Sequence, residues 1–140
     1  MPEIPIVSRI LETALYVDDL PESRRFYETV LGLTPMFASD RLIAMDAGEG
    51  TVLLLFRRRA TSAGAPTPGG RIPPHDGDGP AHFAFAIRPE DLTGWRERLA
   101  EHGVEIESEV RWDRGGSSLY FRDPDNHSVE LATPGVWPIY

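Results

Sequence analysis

Two similar seven-residue segments are the feature that most restricts the fold of this chain. Residues 11–17 read Leu-Glu-Thr-Ala-Leu-Tyr-Val, and residues 81–87 read Ala-His-Phe-Ala-Phe-Ala-Ile. In both segments larger apolar side chains alternate with small or polar ones, which is the two-residue period of a half-buried strand. Glu12 stands in the first segment where His82 stands in the second. The chain is therefore predicted to be built twice around these two strands.

Each copy continues with the same order of elements. Asp19-Leu20-Pro21-Glu22 is typical of a helix start, and Gly32 suits the residue after the helix end. The second copy predicts a helix over about 90–102, ended by Gly103. Further strands are predicted near 35–38, 42–46, 51–56, 104–110, 117–122 and 128–132. This repeat predicts an α+β fold of two βαβββ modules, which form a curled mixed β-sheet with a concave cavity and helices outside.

The 140 residues are predicted to form a single domain. The first module covers about 9–58 and the second about 81–133. The connection of about 59–80 is rich in Gly, Pro, Ser and Ala, so it reads as a linker that separates the copies. It is long enough to fold over a site as well.

Composition excludes several kinds of site. The chain has no cysteine, so disulfides, thiolate metal ligands and cysteine nucleophiles are ruled out. A net charge of −8 disfavours nucleic acid and anionic membranes as partners. The apolar runs are too short for a membrane span and the start does not resemble a signal peptide, so the expected location is cytoplasmic.

Strand alternation places three ligand-type side chains on the concave face: Glu12, His82 and Glu130. One imidazole and two carboxylates can bind a divalent cation and leave positions open for water or substrate. Each residue taken alone is more often a hydrogen-bonded or solvated strand residue. The three together favour a metal site.

The ordered motifs carry a family resemblance. They are Glu12, Tyr16-Val17-Asp18-Asp19-Leu20, Phe26-Tyr27, Leu31-Gly32-Leu33, Gly79-Pro80-Ala81-His82-Phe83-Ala84-Phe85, Tyr120-Phe121-Arg122-Asp123-Pro124-Asp125-Asn126 and Val129-Glu130-Leu131. Together they resemble the vicinal oxygen chelate superfamily, which includes glyoxalase I, extradiol dioxygenases, fosfomycin-resistance proteins and bleomycin-resistance proteins. The resemblance covers nearly the whole chain. It implies paired βαβββ modules, a divalent metal in the cavity and a homodimer.

Carried over position by position, the metal ligands implied by the resemblance are again Glu12, His82 and Glu130. Two departures from the family pattern matter. Dioxygenase-like members commonly have histidine where this chain has Glu12. Glyoxalase I-like members have a fourth ligand, a glutamate, on the last strand of the first module, whereas residues 51–56 read Thr-Val-Leu-Leu-Leu-Phe. True glyoxalase I activity is therefore not expected, and Leu53 and Leu55 are predicted to form an apolar wall of the substrate cavity.

Other side chains are candidates for the chemistry. His75 in the connection and Tyr120 on a cavity-facing position are candidate proton donors or acceptors. Arg122 is a candidate for binding a substrate anion, and Trp112 and Arg114 lie in a hairpin connection that can cap the pocket. For His75 a surface loop role is the more common one, and for Tyr120 and Arg122 a solvent-exposed strand position is equally compatible with the pattern.

Two main functions follow from these residues. The first is a metal-dependent lyase, isomerase, transferase or dioxygenase, which binds Mn, Fe, Ni, Co or Zn and acts on a small oxygen-bearing molecule. The second is a metal-free protein that sequesters an apolar ligand, as bleomycin-resistance members do. Without a metal, converging carboxylates would repel one another, which favours the enzyme. A purely structural role would leave the cavity residues unexplained.

Overall fold

The computed structural model describes residues 3–140 and contains the two predicted βαβββ modules. The first module consists of β1 (Glu12–Val17), α1 (Leu20–Thr29), β2 (Thr34–Ala38), β3 (Leu42–Asp46) and β4 (Val52–Arg57). Its strands have the order β1-β4-β3-β2. The pair β1–β4 is parallel and the other pairs are antiparallel. β1 is therefore an edge strand, and within residues 3–140 its outer edge is not paired with another strand.

The connection between the modules contains a small hairpin, which the sequence analysis did not predict. β5 (Ala65–Thr67) and β6 (Gly70–Ile72) pair in antiparallel fashion. Pro68 and Gly69 stand at the turn between them, and this dipeptide is typical of a tight turn. Composition marked the segment as irregular because strands of three residues are too short to show a period.

The second module repeats the first. It consists of β7 (His82–Ala86), a 3₁₀ turn (Pro89–Asp91), α2 (Leu92–Glu101), β8 (Ser108–Arg111), β9 (Ser117–Arg122) and β10 (Ser128–Ala132). Its strand order β7-β10-β9-β8 matches that of the first module, with β7 and β10 parallel. β8 is shorter than predicted, since residues 104–107 are not part of the strand.

The helix-facing sides of both sheets and the helices form one core. Alternation predicted this face, and the structure confirms that Leu15, Val17, Leu119, Phe121, Val129 and Leu131 are buried. Phe83, Phe85 and Ile87 are half-buried against the same core. The helix start is also confirmed, because the Asp19 carboxylate accepts a hydrogen bond from the Glu22 amide at 3.0 Å.

A turn of the second module joins the two modules. The Tyr27 hydroxyl, on α1, donates to Asp123 Oδ2 at 2.8 Å. Asp123 Oδ1 accepts the amides of Asp125 and His127, so this buried carboxylate has three donors. Burial raises the pKa of Asp123 despite these hydrogen bonds, and it raises the pKa of Tyr27 well above the usual value.

Two further contacts cross the same junction, from His127 to Tyr16 and from Asp18 to Asp125. His127 Nε2 donates to the Tyr16 carbonyl at 2.9 Å, while its Nδ1 accepts the Ala81 amide at 2.8 Å. The Asp18 amide donates to Asp125 Oδ1 at 2.8 Å. The modules therefore have a fixed relation within one chain. Within residues 3–140 no helix has the length and apolar character needed to cross a membrane.

Candidate metal centre

His82 and Glu130 form a close pair on the second sheet. His82 begins β7 and Glu130 lies in the middle of β10, its parallel neighbour. His82 Nε2 lies 3.3 Å from Glu130 Oε1. The strand pairing brings the two side chains together on the face opposite the core, as alternation predicted.

The hydrogen bonds of His82 determine which nitrogen is available. Nδ1 lies 3.1 Å from the carbonyl oxygen of Ser128, which can only accept, so Nδ1 carries the proton. In the neutral ring the lone pair is then on Nε2, the atom that faces Glu130. An imidazole held by its other nitrogen in this way is the usual arrangement of a metal-binding histidine.

Glu130 is held by a chain of two hydrogen bonds. Ser118 Oγ donates to Glu130 Oε2 at 2.5 Å, and Trp112 Nε1 donates to Ser118 Oγ at 2.9 Å. Ser118 is fully buried and Glu130 is only 7% exposed. These bonds fix one carboxylate oxygen and leave Oε1 directed at His82.

Tyr120 lies beside this pair. Its ring stacks on that of His82 with 6.2 Å between centroids. Burial, followed by the negative charge of Glu130, raises the pKa of the Tyr120 hydroxyl. Tyr120 is therefore protonated at neutral pH and can donate a hydrogen bond into the space next to the pair.

The pair fits a divalent cation. Histidine nitrogen and carboxylate oxygen each bind zinc-like ions at about 2.0–2.2 Å, and two atoms 3.3 Å apart can both reach one ion at that distance. One imidazole with carboxylates suits borderline cations such as manganese, iron, cobalt, nickel or zinc. His82 and Glu130 thus supply two ligands with fixed orientation.

Glu12 does not lie in the same cluster within one chain. It begins β1 of the other sheet and is exposed. Among residues 3–140 no group of three His, Asp or Glu side chains is placed to hold a metal ion. The structure therefore brings together two of the three predicted ligands and leaves Glu12 at the edge of the first module.

The arginine candidates have other surroundings. Arg122 Nε lies 2.7 Å from Glu107 Oε2, and Arg122 Nη1 donates to the carbonyl of Asn126. The Arg122 guanidinium, predicted to bind a substrate anion, is therefore already paired with the Glu107 carboxylate. Arg114 is exposed in the turn that joins β8 to β9, whereas Trp112 from the same turn contacts Ser118.

Leu53 and Leu55, predicted to form an apolar wall of the substrate cavity, do not lie on the sheet face that carries Glu12. They are 1% and 0% exposed and belong to the core. Leu55 pairs with Leu15, so both point under the helices, and Leu53 points the same way. The β4 residues on the face of Glu12 are Val52, Leu54 and Phe56, which keeps that face apolar but shifts its register by one residue.

His75 lies on the first module. Its Nδ1 is 2.7 Å from the Tyr16 hydroxyl, and its ring meets Phe56 edge-on with centroids 4.7 Å apart. The His75 amide donates to the Thr61 carbonyl, and the Thr61 hydroxyl donates to the His75 carbonyl. His75 therefore covers the end of the sheet face that begins at Glu12.

Arg59 holds the segment that carries His75. Arg59 Nη1 lies 2.7 Å from Asp76 Oδ2, and Arg59 also pairs with Asp78. Hydrogen bonds from Arg59 lower the pKa of Asp76 from 3.8 to about 2. A lowered pKa means that the pair stabilises the fold above pH 3.8 and that this contribution is lost as the pH falls towards about 2.

We therefore expect the Asp76 carboxyl to titrate near pH 2, measured from its carbon chemical shift by NMR. In an Arg59→Gln variant the pKa of Asp76 should return towards 3.8, because its main hydrogen-bond donor is gone. Arg71→Gln, which changes another arginine of the connection, is the matched control. A wild-type Asp76 that titrates near 3.8 would contradict the ion pair.

Sequence reasoning missed three contributors to these clusters: Ser118, Tyr16 as a partner of His75, and Asp123. Ser118 shares a strand face with Tyr120, so alternation was sufficient to place it near Glu130. The contacts of Trp112 and His75 depend on the paths of two connections, and no sequence period reports those paths.

Comparison with known proteins relates the chain to one group. A family model described as Glyoxalase/Bleomycin resistance protein/Dioxygenase superfamily matches residues 9–131. The glutathione transferase FosA of Serratia marcescens is 31% identical over 117 residues, which is 84% of this chain and 74% of that protein. The crystal structure of a lactoylglutathione lyase from Agrobacterium tumefaciens is similar with a TM-score of 0.86 and 35% identity, covering 94% of this chain and 98% of that one. The fosfomycin resistance protein FosX of Listeria monocytogenes has the same fold, with a TM-score of 0.68 and 23% identity over 94% of this chain and 97% of its own.

Proposed function

Because this chain belongs to the glyoxalase/bleomycin resistance protein/dioxygenase superfamily, we propose that it is a divalent-metal-dependent enzyme acting on a small molecule with adjacent oxygens. The observation that carries this proposal is the pair of His82 Nε2 and Glu130 Oε1, 3.3 Å apart. Hydrogen bonds on the side away from the pair orient both side chains. Less conformational freedom is therefore lost when an ion binds, which favours ion binding.

We propose that Glu12 of a second copy supplies the third ligand. Glu12 occupies in the first module the place of His82 in the second, and it is exposed on an edge strand. A two-fold dimer that sets β1 of one subunit beside β7 of the other would bring this carboxylate to the pair. The dimer is thus part of the proposed active site.

When bound, a divalent ion would polarise substrate oxygens and stabilise negative charge that develops on them. The residues of the chain would do the rest. Tyr120, kept protonated by its raised pKa, would donate a hydrogen bond to a substrate oxygen beside Glu130. Ser118 and Trp112 would keep the Glu130 carboxylate oriented.

The first module would form the opposite wall of the site. Its Glu12-bearing face carries Ala14, Leu54 and Phe56, with Tyr16 and His75 at the far end. The Tyr16–His75 pair would contact the part of the substrate furthest from the ion and could exchange a proton there. An apolar wall with one polar end suits a small molecule that is partly apolar.

The names of the similar proteins suggest transfer or lyase chemistry with glutathione for two of them. We propose transferase or isomerase chemistry ahead of the lactoylglutathione lyase reaction. That reaction uses a second acid/base carboxylate, and the β4 face offers only Val52, Leu54 and Phe56. Assays of glutathione transfer to fosfomycin and of cleavage of lactoylglutathione would distinguish transferase chemistry from the lyase reaction.

Metal binding in mixed dimers tests the proposal. Glu12→Gln and His82→Ala homodimers should each lose bound ion, because every site lacks one ligand. A heterodimer of these two variants keeps one intact site if Glu12 acts in trans, so it should bind about one manganese ion per dimer. Measurement is by elemental analysis of tag-purified heterodimers, with Glu101→Gln and His102→Ala, both exposed, as the matched pair of controls.

Two outcomes would count against parts of the proposal. If wild-type protein binds no manganese, iron, cobalt, nickel or zinc, the metal-dependent enzyme is ruled out. The metal-free ligand-binding function would then be favoured, and apolar compounds rather than ions should raise the melting temperature. If wild-type protein binds metal but the heterodimer does not, the ligands act within one subunit and the trans assignment of Glu12 is wrong.

A further inference from the structure

The segment of residues 3–11 exposes an unusual number of apolar side chains. Ile4, Ile6, Val7 and Ile10 are 79–90% exposed, and Leu11 is 53% exposed. The segment has no helix or strand structure before β1 begins at Glu12. Singly exposed apolar residues are common, but five within eight positions mark a surface that contacts another molecule.

This segment, the N-terminal arm, is attached to the first module only at its end. Arg9 Nη2 donates to the Gly50 carbonyl at 3.1 Å, and the Val52 amide donates to the Leu11 carbonyl at 2.9 Å. Ile4, Ile6 and Val7 are 86–90% exposed. The last residues of the arm are therefore fixed in direction, while its apolar part is uncovered by its own chain.

A cavity of about 650 Å³ opens next to the fixed end of the arm. Ile10 and Leu11 line it together with Phe83, Phe85 and Ala86 of β7. Its volume lies within the range of about 300–1,000 Å³ in which proteins bind apolar groups. The cavity and the exposed arm thus occupy one continuous surface of the molecule.

We propose that the N-terminal arm of each subunit inserts into this cavity of a second copy of the same chain. In a two-fold dimer one surface patch contacts itself, so an arm that borders a cavity is brought to the equivalent cavity of its partner. The apolar arm and the apolar side chains that β7 contributes to the cavity are complementary in this arrangement. The arm precedes Glu12 directly, and the cavity is walled by the strand that begins at His82, so the exchanged arm would also direct Glu12 towards the partner's metal pair.

The inference rests on the proposed function only where it directs Glu12 towards the partner's metal pair, since arm exchange itself needs no metal.

An Ile6→Asp/Val7→Asp variant should weaken dimerisation at least tenfold, measured by sedimentation equilibrium of metal-free protein. Met36→Asp/Ile72→Asp is the control, because it adds the same two charges at exposed apolar positions elsewhere, Met36 being on the strand at the opposite edge of the sheet from β1. This control should leave the dimer unchanged.

Cross-linking tests the location of the arm. The chain has no cysteine, so engineered pairs are the only thiols. Val7→Cys protein mixed with Ala86→Cys protein should form a disulfide-linked heterodimer on mild oxidation, whereas Ile72→Cys mixed with Ala86→Cys should not. A monomeric wild type, or a dimer unaffected by Ile6→Asp/Val7→Asp and without the Val7–Ala86 cross-link, overturns the inference. A dimer with the cross-link but without metal binding overturns only the proposed function.

Discussion

Replacing Asp123 by alanine should lower the free energy of unfolding by about 3–5 kcal/mol, which is a large share of the stability of a domain of this size. The carboxylate is buried and accepts three hydrogen bonds, from the Tyr27 hydroxyl and the amides of Asp125 and His127. Alanine would leave these donors without an acceptor in a place that water does not reach. Urea unfolding followed by fluorescence measures the change.

The Tyr27→Phe variant measures the contribution of the hydrogen bond between the modules separately from that of the turn around Asp123. It removes one donor and leaves the turn around Asp123 intact, so we expect a loss of about 1–2 kcal/mol. In the double variant the two losses should not add, because both remove the same hydrogen bond. Asp113→Ala, in an exposed turn, is the matched control. A loss below about 1 kcal/mol for Asp123→Ala would show that the junction does not depend on this carboxylate.

The pH dependence of the Asp123 effect has a definite sign. Burial raises the pKa of Asp123, so the folded state binds its proton more tightly than the unfolded state. A group of this kind contributes most below its unfolded pKa, and its contribution declines as the pH rises through the folded pKa. The advantage of the wild type over Asp123→Ala should therefore be at least as large at mildly acidic pH as at neutral pH.

The second large effect concerns Ser118. Ser118→Ala should weaken the binding of manganese by about 10–100-fold, because the Glu130 carboxylate loses the hydrogen bond that orients it. Ser118 is a positioning residue, since it would not touch the ion. Isothermal titration of metal-free protein measures the affinity.

Two comparisons distinguish positioning from a loss of structure. Trp112→Phe removes the donor to Ser118 and should weaken binding in the same direction, but less. Ser117→Ala, whose side chain is on the opposite face of β9, should leave affinity unchanged. If Ser118→Ala lowers the melting temperature of metal-free protein and leaves metal affinity intact, Ser118 serves only the fold.

The sequence alone determined the repeat, the order of the elements and the face of nearly every strand. These features are local or periodic: a strand has a two-residue period, a helix start has a capping residue, and two copies of one pattern reinforce each other. His82 and Glu130 were placed on one face for this reason, and the parallel pairing of β7 with β10 brought them within 3.3 Å. The error at Leu53 and Leu55 has a related cause, since an all-apolar strand has no alternation from which its face can be read.

Only the tertiary structure decided the contacts that depend on chain paths between elements. It placed His75 against Tyr16, Trp112 against Ser118 and Asp123 beneath Tyr27, because each contact joins residues whose separation no local pattern fixes. It also left Glu12 apart from His82 and Glu130 in the described chain. The sequence identified a trio from equivalent strands, but equivalence within a repeat says nothing about whether two modules face each other within one chain or across a dimer.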